Sequence, residues 1–250
     1  MTRQDKITEL SYQANMSNEL IQKSRYTLTP IEQKAILYMA SKIKPNDEPY
    51  TEYEFSAERF CEVCNFNMDG GWYIQRVREV CMELAKKPLV IKLDKYSEVI
   101  TSWITYAELN SKTGTFKVAF SKHLTPYLYE LQKCYTSITM QYVLPMKSEY
   151  GIRLYGYLKS VKFMGYRHTL TIDELKQRTG CEGKYEFFKD LRRFVIEPAL
   201  KDINTFSDLE VGCNFIKTGK KVSHIEFIVK DGDNITRHNN RVRALGMRER

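Results

Sequence analysis

Thr171-Ile-Asp-Glu174, Tyr185-Glu-Phe-Phe-Lys-Asp-Leu-Arg-Arg-Phe-Val195 and Lys217-Thr-Gly-Lys-Lys221 follow one another in this chain, and their order decides the fold. The first is a capping box, in which a threonine hydroxyl closes the amide three residues on and a glutamate reaches back to the cap. Its helix ends at Gly180, the residue that tolerates a left-handed stop. The second spells an amphipathic helix starting near Lys184. At roughly 100° per residue, Phe187, Phe188, Leu191, Phe194 and Val195 share one side. Tyr185, Lys189, Arg192 and Arg193 take the other, with Glu186 at its margin. The third is the glycine turn of a hairpin spanning about 210–229. Ile196, Leu200 and Ile203 would fall on the polar side of a straight helix, so Pro198 predicts a kink or a fresh helical segment.

The same order occurs earlier in the chain. Ser56 caps a short helix after the strand-like Tyr53-Glu-Phe55, and Asp69-Gly-Gly71 breaks the chain. A longer helix then runs from Trp72 to about Lys86, with Ile74, Val77, Cys81 and Leu84 on its apolar side. Trp72, Gln75, Arg76, Glu79, Glu83 and Lys86 lie opposite, and Pro88 stops it. Three β-rich runs follow, Leu89–Ile91, Val99–Tyr106 and Phe116–Phe120, read together as a three-stranded wing with a turn at Lys112-Thr-Gly114. Phe55-Ser56 corresponds to Leu170-Thr171, and Phe60 to Leu175, each four residues past its cap. Residue identity between the copies is weak, so duplication and independent use of one motif are both allowed.

Capped helix, amphipathic helix and hairpin are the parts of a winged-helix DNA-binding domain. The predicted class is α+β, two tandem winged-helix domains. A loosely ordered leader is expected over 1–19, an N-terminal domain over 20–145, a C-terminal domain over 146–232 and a basic tail over 233–250. Within the first domain, Thr29-Pro30-Ile31-Glu32 is another capping box. It opens a helix with one buried stripe at Ile36, Met39, Ala40 and Ile43.

Length and composition are those of a soluble protein: 250 residues, 42% hydrophobic and 28% charged, enough for two cores. No stretch approaches the roughly 18 apolar residues of a membrane span, and no secretory leader is visible, so a cytoplasmic location is expected. The six cysteines show no disulfide framework. Cys61-x-x-Cys64 lacks the second ligand pair that zinc requires, and reads as two small buried residues.

Charge is uneven. Residues 146–250 hold 21 Lys and Arg against 14 Asp and Glu, a balance of +7, while 1–145 hold 18 against 17, a balance of +1. A basic domain attracts polyanions and gains from counterion release on nucleic acid, although positive charge also simply keeps a protein soluble. Lys189, Arg192 and Arg193 can reach guanine edges and phosphates, or form an ordinary solvated helix face. Lys217, Lys220 and Lys221 suit a wing touching backbone or minor groove, or an edge guarded against aggregation. Arg237, Arg241, Arg243, Arg248 and Arg250 fold along phosphates or form a solubilising end; the sequence leaves both open.

Catalytic signatures are missing. There is no phosphate-binding loop and no dinucleotide fingerprint. The four histidines are scattered, without the paired ligands of a metal-dependent tyrosine nickase. The expectation is a protein that is not an enzyme and has no cofactor.

Several runs resemble the iteron-binding replication initiators of plasmids, the Rep family built from two winged-helix domains. They are Ser148-Glu-Tyr-Gly-Ile-Arg-Leu-Tyr155, Thr171–Leu175, Tyr185–Val195, Ala199-Leu-Lys-Asp-Ile-Asn204 and Gly219-Lys-Lys-Val-Ser-His-Ile-Glu-Phe227. The resemblance runs from about Met16 to Val229. It implies sequence-specific binding to tandem repeats in double-stranded DNA at a plasmid origin. It further implies origin opening, recruitment of host helicase and primase, and autorepression by a homodimer in equilibrium with monomer. By match to the family's second recognition helix, Lys184, Tyr185, Lys189, Arg192 and Arg193 would contact the repeat. Gln75 and Arg76 would meet a neighbouring groove or backbone, in a first domain whose larger task is dimerisation. Two other readings stay open: a winged-helix repressor with no replication role, and an origin nickase.

Overall fold

The computed structural model describes residues 8–66, 72–131 and 134–246. The break expected at Asp69–Gly71 lies outside them. The chain forms two compact units, Met1–Leu144 and Pro145–Arg250. No helix among the described residues is long and apolar enough to cross a membrane.

The first unit contains, in order, β1 (Gln13–Ser17), α1 (Asn18–Lys23), β2 (Ser24–Arg25), α2 (Pro30–Ala40), β3 (Tyr53–Ser56), α3 (Ala57–Val63) and α4 (Tyr73–Lys86). It continues with β4 (Leu89–Lys92), β5 (Glu98–Thr101), β6 (Ile104–Asn110), β7 (Thr115–Phe120), α5 (Thr125–Leu128), β8 (Tyr135–Thr139) and α6 (Met140–Val143). Thr29 and Glu32 make the capping box that starts α2: the Glu32 amide donates to Thr29 Oγ1, and the Thr29 amide to the Glu32 carboxylate at 2.9 Å. The helix differs from the expected single stripe. Every residue from Glu32 to Ala40 is buried, so α2 is the central helix of the unit. The Glu32 carboxylate is satisfied by Lys87 Nζ at 2.7 Å. Around α2 the rings of Tyr38, Phe55, Phe60 and Phe116 pack together, with Phe55 stacked on its cross-strand partner Phe116 at 5.2 Å.

Two expectations are corrected in this unit. The leader is not loosely ordered over its whole length: Gln13–Ser17 is a strand, paired antiparallel with Tyr135–Thr139. Ahead of it, the buried Glu9 carboxylate accepts from Tyr38 Oη at 2.8 Å and Arg59 Nε at 2.6 Å. The pairing joins segments 120 residues apart, so no local pattern reveals it. The three runs after Pro88 also belong to two sheets rather than one wing. Leu89–Lys92 lies between Glu98–Thr101 and Ser24–Arg25, whereas the hairpin Ile104–Asn110/Thr115–Phe120 pairs with Tyr53–Ser56. The run Val99–Tyr106 is split at Ser102-Trp103, where the Trp103 indole is buried and its carbonyl accepts from the Ser121 amide.

The second unit contains α7 (Glu149–Val161), β9 (Arg167–Thr171), α8 (Ile172–Thr179), α9 (Phe188–Leu191), a π-helical turn (Arg192–Ile196), α10 (Glu197–Phe206), β10 (Leu209–Thr218), β11 (Lys221–Asp231) and α11 (Asn234–Ala244). Helix α7 is buried along nearly its whole length. Gly151 permits the close approach of α10, because a Cβ there would stand 3.3–3.4 Å from Ser148, Ala199 and Asp202. Asp202 repays that contact by accepting from the Lys147 and Ser148 amides, both at 2.7 Å, at the start of α7. The Thr171–Glu174 box forms as its residues dictate, and its hydrogen bonds hold the Glu174 carboxyl below the usual glutamate range. Gly180 closes α8 at φ 76°.

Both units solve the wing in one way. The strand before the capped helix pairs with the returning strand of the hairpin, giving the orders β3-β7-β6 and β9-β11-β10. Phe60 and Leu175, the matched positions past each cap, are 1% and 0% exposed. The likeness between the copies therefore extends to sheet topology.

Within the described residues the basic tail differs from either expectation, and Arg248 and Arg250 lie outside them. Asn234–Ala244 is a helix, and Arg237 and Arg241 are buried. Arg237 Nη1 donates to the carbonyls of Ser207 and Leu209, and Arg241 Nη1 to Phe206 O at 3.1 Å. The Phe206 and Ser207 carbonyls lie at the end of α10, where a helix leaves acceptors open and a cation is favoured, and that of Leu209 at the start of β10.

Candidate nucleic-acid interface

The cationic helix starts later than its periodicity suggests. Lys184 and Tyr185 lie in the loop, with Tyr185 in the left-handed region at φ 53°, and Phe187 caps α9. Helical spacing alone cannot detect a non-glycine residue in that conformation. The apolar side is corrected as well. Leu191 and Val195 are buried at 0% and 1%, but Phe187 is 62% exposed and Phe194 48%.

The slip in periodicity is resolved by the π-helical turn. The Glu197 amide bonds Arg192 O, five residues back, which fits one extra residue into the turn. Residues beyond it shift in phase, so Ile196, Ala199 and Ile203 continue the buried side begun by Leu191 and Val195. Pro198 falls in the first turn of α10, where a missing amide hydrogen is tolerated. The fresh helical segment expected at Pro198 is thus present, and a π-turn introduces it.

Lys189, Arg192 and Arg193 are exposed at helical spacing. Each has an aromatic partner: Lys189 Nζ stands 5.6 Å from the Phe187 ring, Arg192 5.4 Å from Phe215, and Arg193 5.2 Å from Phe194. Arg192 Nε also donates to Glu197 at 2.8 Å. Tyr185 stacks on Phe194 at 5.9 Å and 25°, and its hydroxyl lies 3.3 Å from that of Tyr150. Tyr185 is therefore brought to the same surface as the cations, while Lys184 is an exposed loop residue.

Phe215 joins this surface to the wing. It belongs to β10, meets Phe188 edge-on at 5.1 Å and carries the Arg192 guanidinium. Beyond it, the register slips between Ile216 and Lys217, and Gly219 turns the chain at φ 62°. Lys217, Lys220 and Lys221 are all exposed at that tip. Sequence reading missed Phe215 and the outward rings of Phe187 and Phe194; an aromatic on the strand next to a cation-rich helix was the available signal.

In the first unit, Gln75 is exposed in the first turn of α4. Arg76 is half-buried, ion-paired with Glu79 at 2.7 Å and placed 5.5 Å from the Phe66 ring. This face is mixed in charge and weaker as an anion site than its counterpart.

Among the described residues, no cluster of His, Cys, Asp and Glu could hold a metal ion. Cys61 and Cys64 are fully buried in and beside α3, and burial pushes the Cys61 thiol up to about 12 and that of Cys64 higher. Cys81 is likewise held at about 12. In native protein an aromatic disulfide reagent is expected to modify the exposed Cys134 within minutes, while Cys61, Cys64 and Cys81 react only on unfolding. Rapid labelling of the Cys61/Cys64 pair would contradict this packing.

A capped helix, a cation-bearing helix and a hairpin wing, present twice, define a winged-helix protein of the nucleic-acid-binding type. A family profile described as "Initiator Replication protein, WH1" matches residues 13–159, and one described as "Initiator Rep protein, WH2" matches 171–229. The chain belongs to this family of two-winged-helix replication initiators, a family of initiators rather than catalysts, which sets aside the nickase reading.

A replication initiation protein of Escherichia coli is 27% identical over 198 residues, covering 75% of this chain; the match spans 61% of that relative's length. An uncharacterized 27.6 kDa protein of Escherichia coli is 23% identical over 231 residues, covering 86% of this chain and 95% of its own. The crystal structure of Pi initiator protein in complex with iteron DNA shares the fold, with a TM-score of 0.69 at 20% identity over 89% of this chain and 99% of that one.

Proposed function

We propose that this chain initiates plasmid replication by binding tandem repeats at its origin, in the cytoplasm of its host. One observation carries the reading: Lys189, Arg192 and Arg193 form an exposed, aromatic-flanked stripe that Phe215 links to a lysine-tipped wing. That chemistry suits duplex DNA, with a helix for base edges and a hairpin for phosphates. Pi initiator, which shares the fold, was crystallised with iteron DNA. Lys189, Arg192 and Arg193 read the major groove, with Lys184 and Tyr185 at its edge. Lys217, Lys220 and Lys221 grip the backbone or minor groove. Gln75 and Arg76 make a secondary contact, and the first unit pairs with a second copy to form a homodimer in equilibrium with monomer. Binding to the repeats promotes origin opening and brings in host helicase and primase.

Footprinting on DNA from around its own gene tests the reading. Protection of several phased direct repeats is the expected result. A single protected inverted repeat would favour a repressor, and no protection at moderate salt would remove the proposal.

A further inference from the structure

We infer that Phe187 and Phe194 read thymine C5-methyl groups in the repeat, so that apolar contact as well as hydrogen bonding sets the sequence this chain selects. The inference rests on the DNA-binding reading above and names part of what is read. Its starting point is the exposure of the two rings, 62% and 48%, beside a buried Leu191 and Val195 in the same helical run. A scattered exposed aromatic is unremarkable on a protein surface. These two are not scattered, because each lies under a cation of the stripe, at 5.6 and 5.2 Å.

Phe194 is also held in place. It stacks on Tyr185, which meets Tyr150 edge-on at 6.3 Å and shares a hydroxyl contact with it. A ring fixed in this way presents its exposed apolar edge at little entropic cost. Phosphates and sugars offer such a surface nothing that the neighbouring cations do not already take. In the major groove, thymine presents a methyl group beside the acceptors that Lys and Arg bind, and phenylalanine is among the side chains that contact it. A second protein surface would also cover the rings, but Lys189 and Arg193, the cations over them, would then need acidic partners. The two phenylalanines are seven residues apart. That is about 10 Å along a helix and about three base-pair steps of duplex, so the methyls they meet lie within a few base pairs of each other.

The test uses the full chain and the duplex it selects from a random library. Each thymine of that duplex is replaced in turn by deoxyuridine, which removes only the methyl. Wild-type affinity is expected to fall about fourfold at a sensitive position, the contribution of roughly one buried methylene group. Against Phe194→Ala or Phe187→Ala, the same deoxyuridine should have no further effect, while Phe194→Leu keeps part of the sensitivity. Circular dichroism checks that each variant is folded. Selection of a duplex that is insensitive to every deoxyuridine, or equally sensitive in all variants, overturns the inference and leaves the DNA-binding reading standing. So would phenylalanine variants that alter sedimentation of the free protein but not its deoxyuridine response. Failure to select any duplex overturns both.

Discussion

Replacing Arg192 and Arg193 together by alanine is expected to erase the footprint on the repeats while leaving the fold intact. Both side chains are exposed, so little packing is lost. The ion pair that Arg192 makes with Glu197 has both partners more than half exposed, and is worth about 0–1 kcal/mol. If each guanidinium makes one bidentate contact to a guanine, the pair contributes about 2–6 kcal/mol of discrimination. The corresponding loss is at least about 30-fold in affinity for the selected repeat. Binding to unrelated duplex should change far less, because base contacts do not serve it. Salt titration separates the two possible roles. Loss of base contacts leaves the salt slope nearly unchanged, whereas loss of two phosphate contacts lowers it by about 1.8. A uniform weakening on all sequences, with that drop in slope, would move base reading away from this helix.

The second large effect lies in α11. Arg237→Ala is expected to destabilise the C-terminal unit by about 2–4 kcal/mol, because buried carbonyls at Ser207 and Leu209 lose their donor. The guanidinium packs against Gly232: a Cβ there would lie 1.7 Å from Arg237 Nη1 and would force the guanidinium to move. At about 4–8 °C per kcal/mol for a unit of this size, calorimetry should register a fall of at least about 8 °C. DNA affinity measured well below that transition should hold. An unchanged transition with weakened DNA binding would reverse the assignment and make this arginine a phosphate contact.

The contrast between these predictions reflects what the sequence can reveal. Thr29 with Glu32, and Thr171 with Glu174, act over three residues, so both capping boxes were legible. The three runs expected to form the first wing divide between two sheets, whereas the second wing was legible from its turn glycine and alternating strands, and the basic helix from its charge. Pairing between Gln13–Ser17 and Tyr135–Thr139 was not, since nothing in a polar leader names a partner 120 residues away. Nor was the late start of α9, because Tyr185 adopts a left-handed backbone without being glycine. Cation counting could not sort Arg237 and Arg241, which cap a helix, from Arg193, which faces solvent. Trp103 gave no sign that it marks the passage between two sheets. The misfit of Ile196, Leu200 and Ile203 was legible as a fault, and the structure supplies its repair.

That repair has an evolutionary consequence. The π-turn works as a phase joint between two stretches of one continuous helical run. Exposed Lys189, Arg192 and Arg193 lie before and within it, and the buried side of the run continues through it to Ala199 and Ile203. On the proposed DNA-binding reading, changes at Lys189, Arg192 or Arg193 would alter what is selected without disturbing Ala199 or Ile203. A one-residue deletion between Arg192 and Ile196 would convert the turn to regular α-helix and leave Ala199 and Ile203 on the buried side, since the turn absorbs one extra residue. On that reading, such a joint would let specificity drift while the scaffold stays fixed.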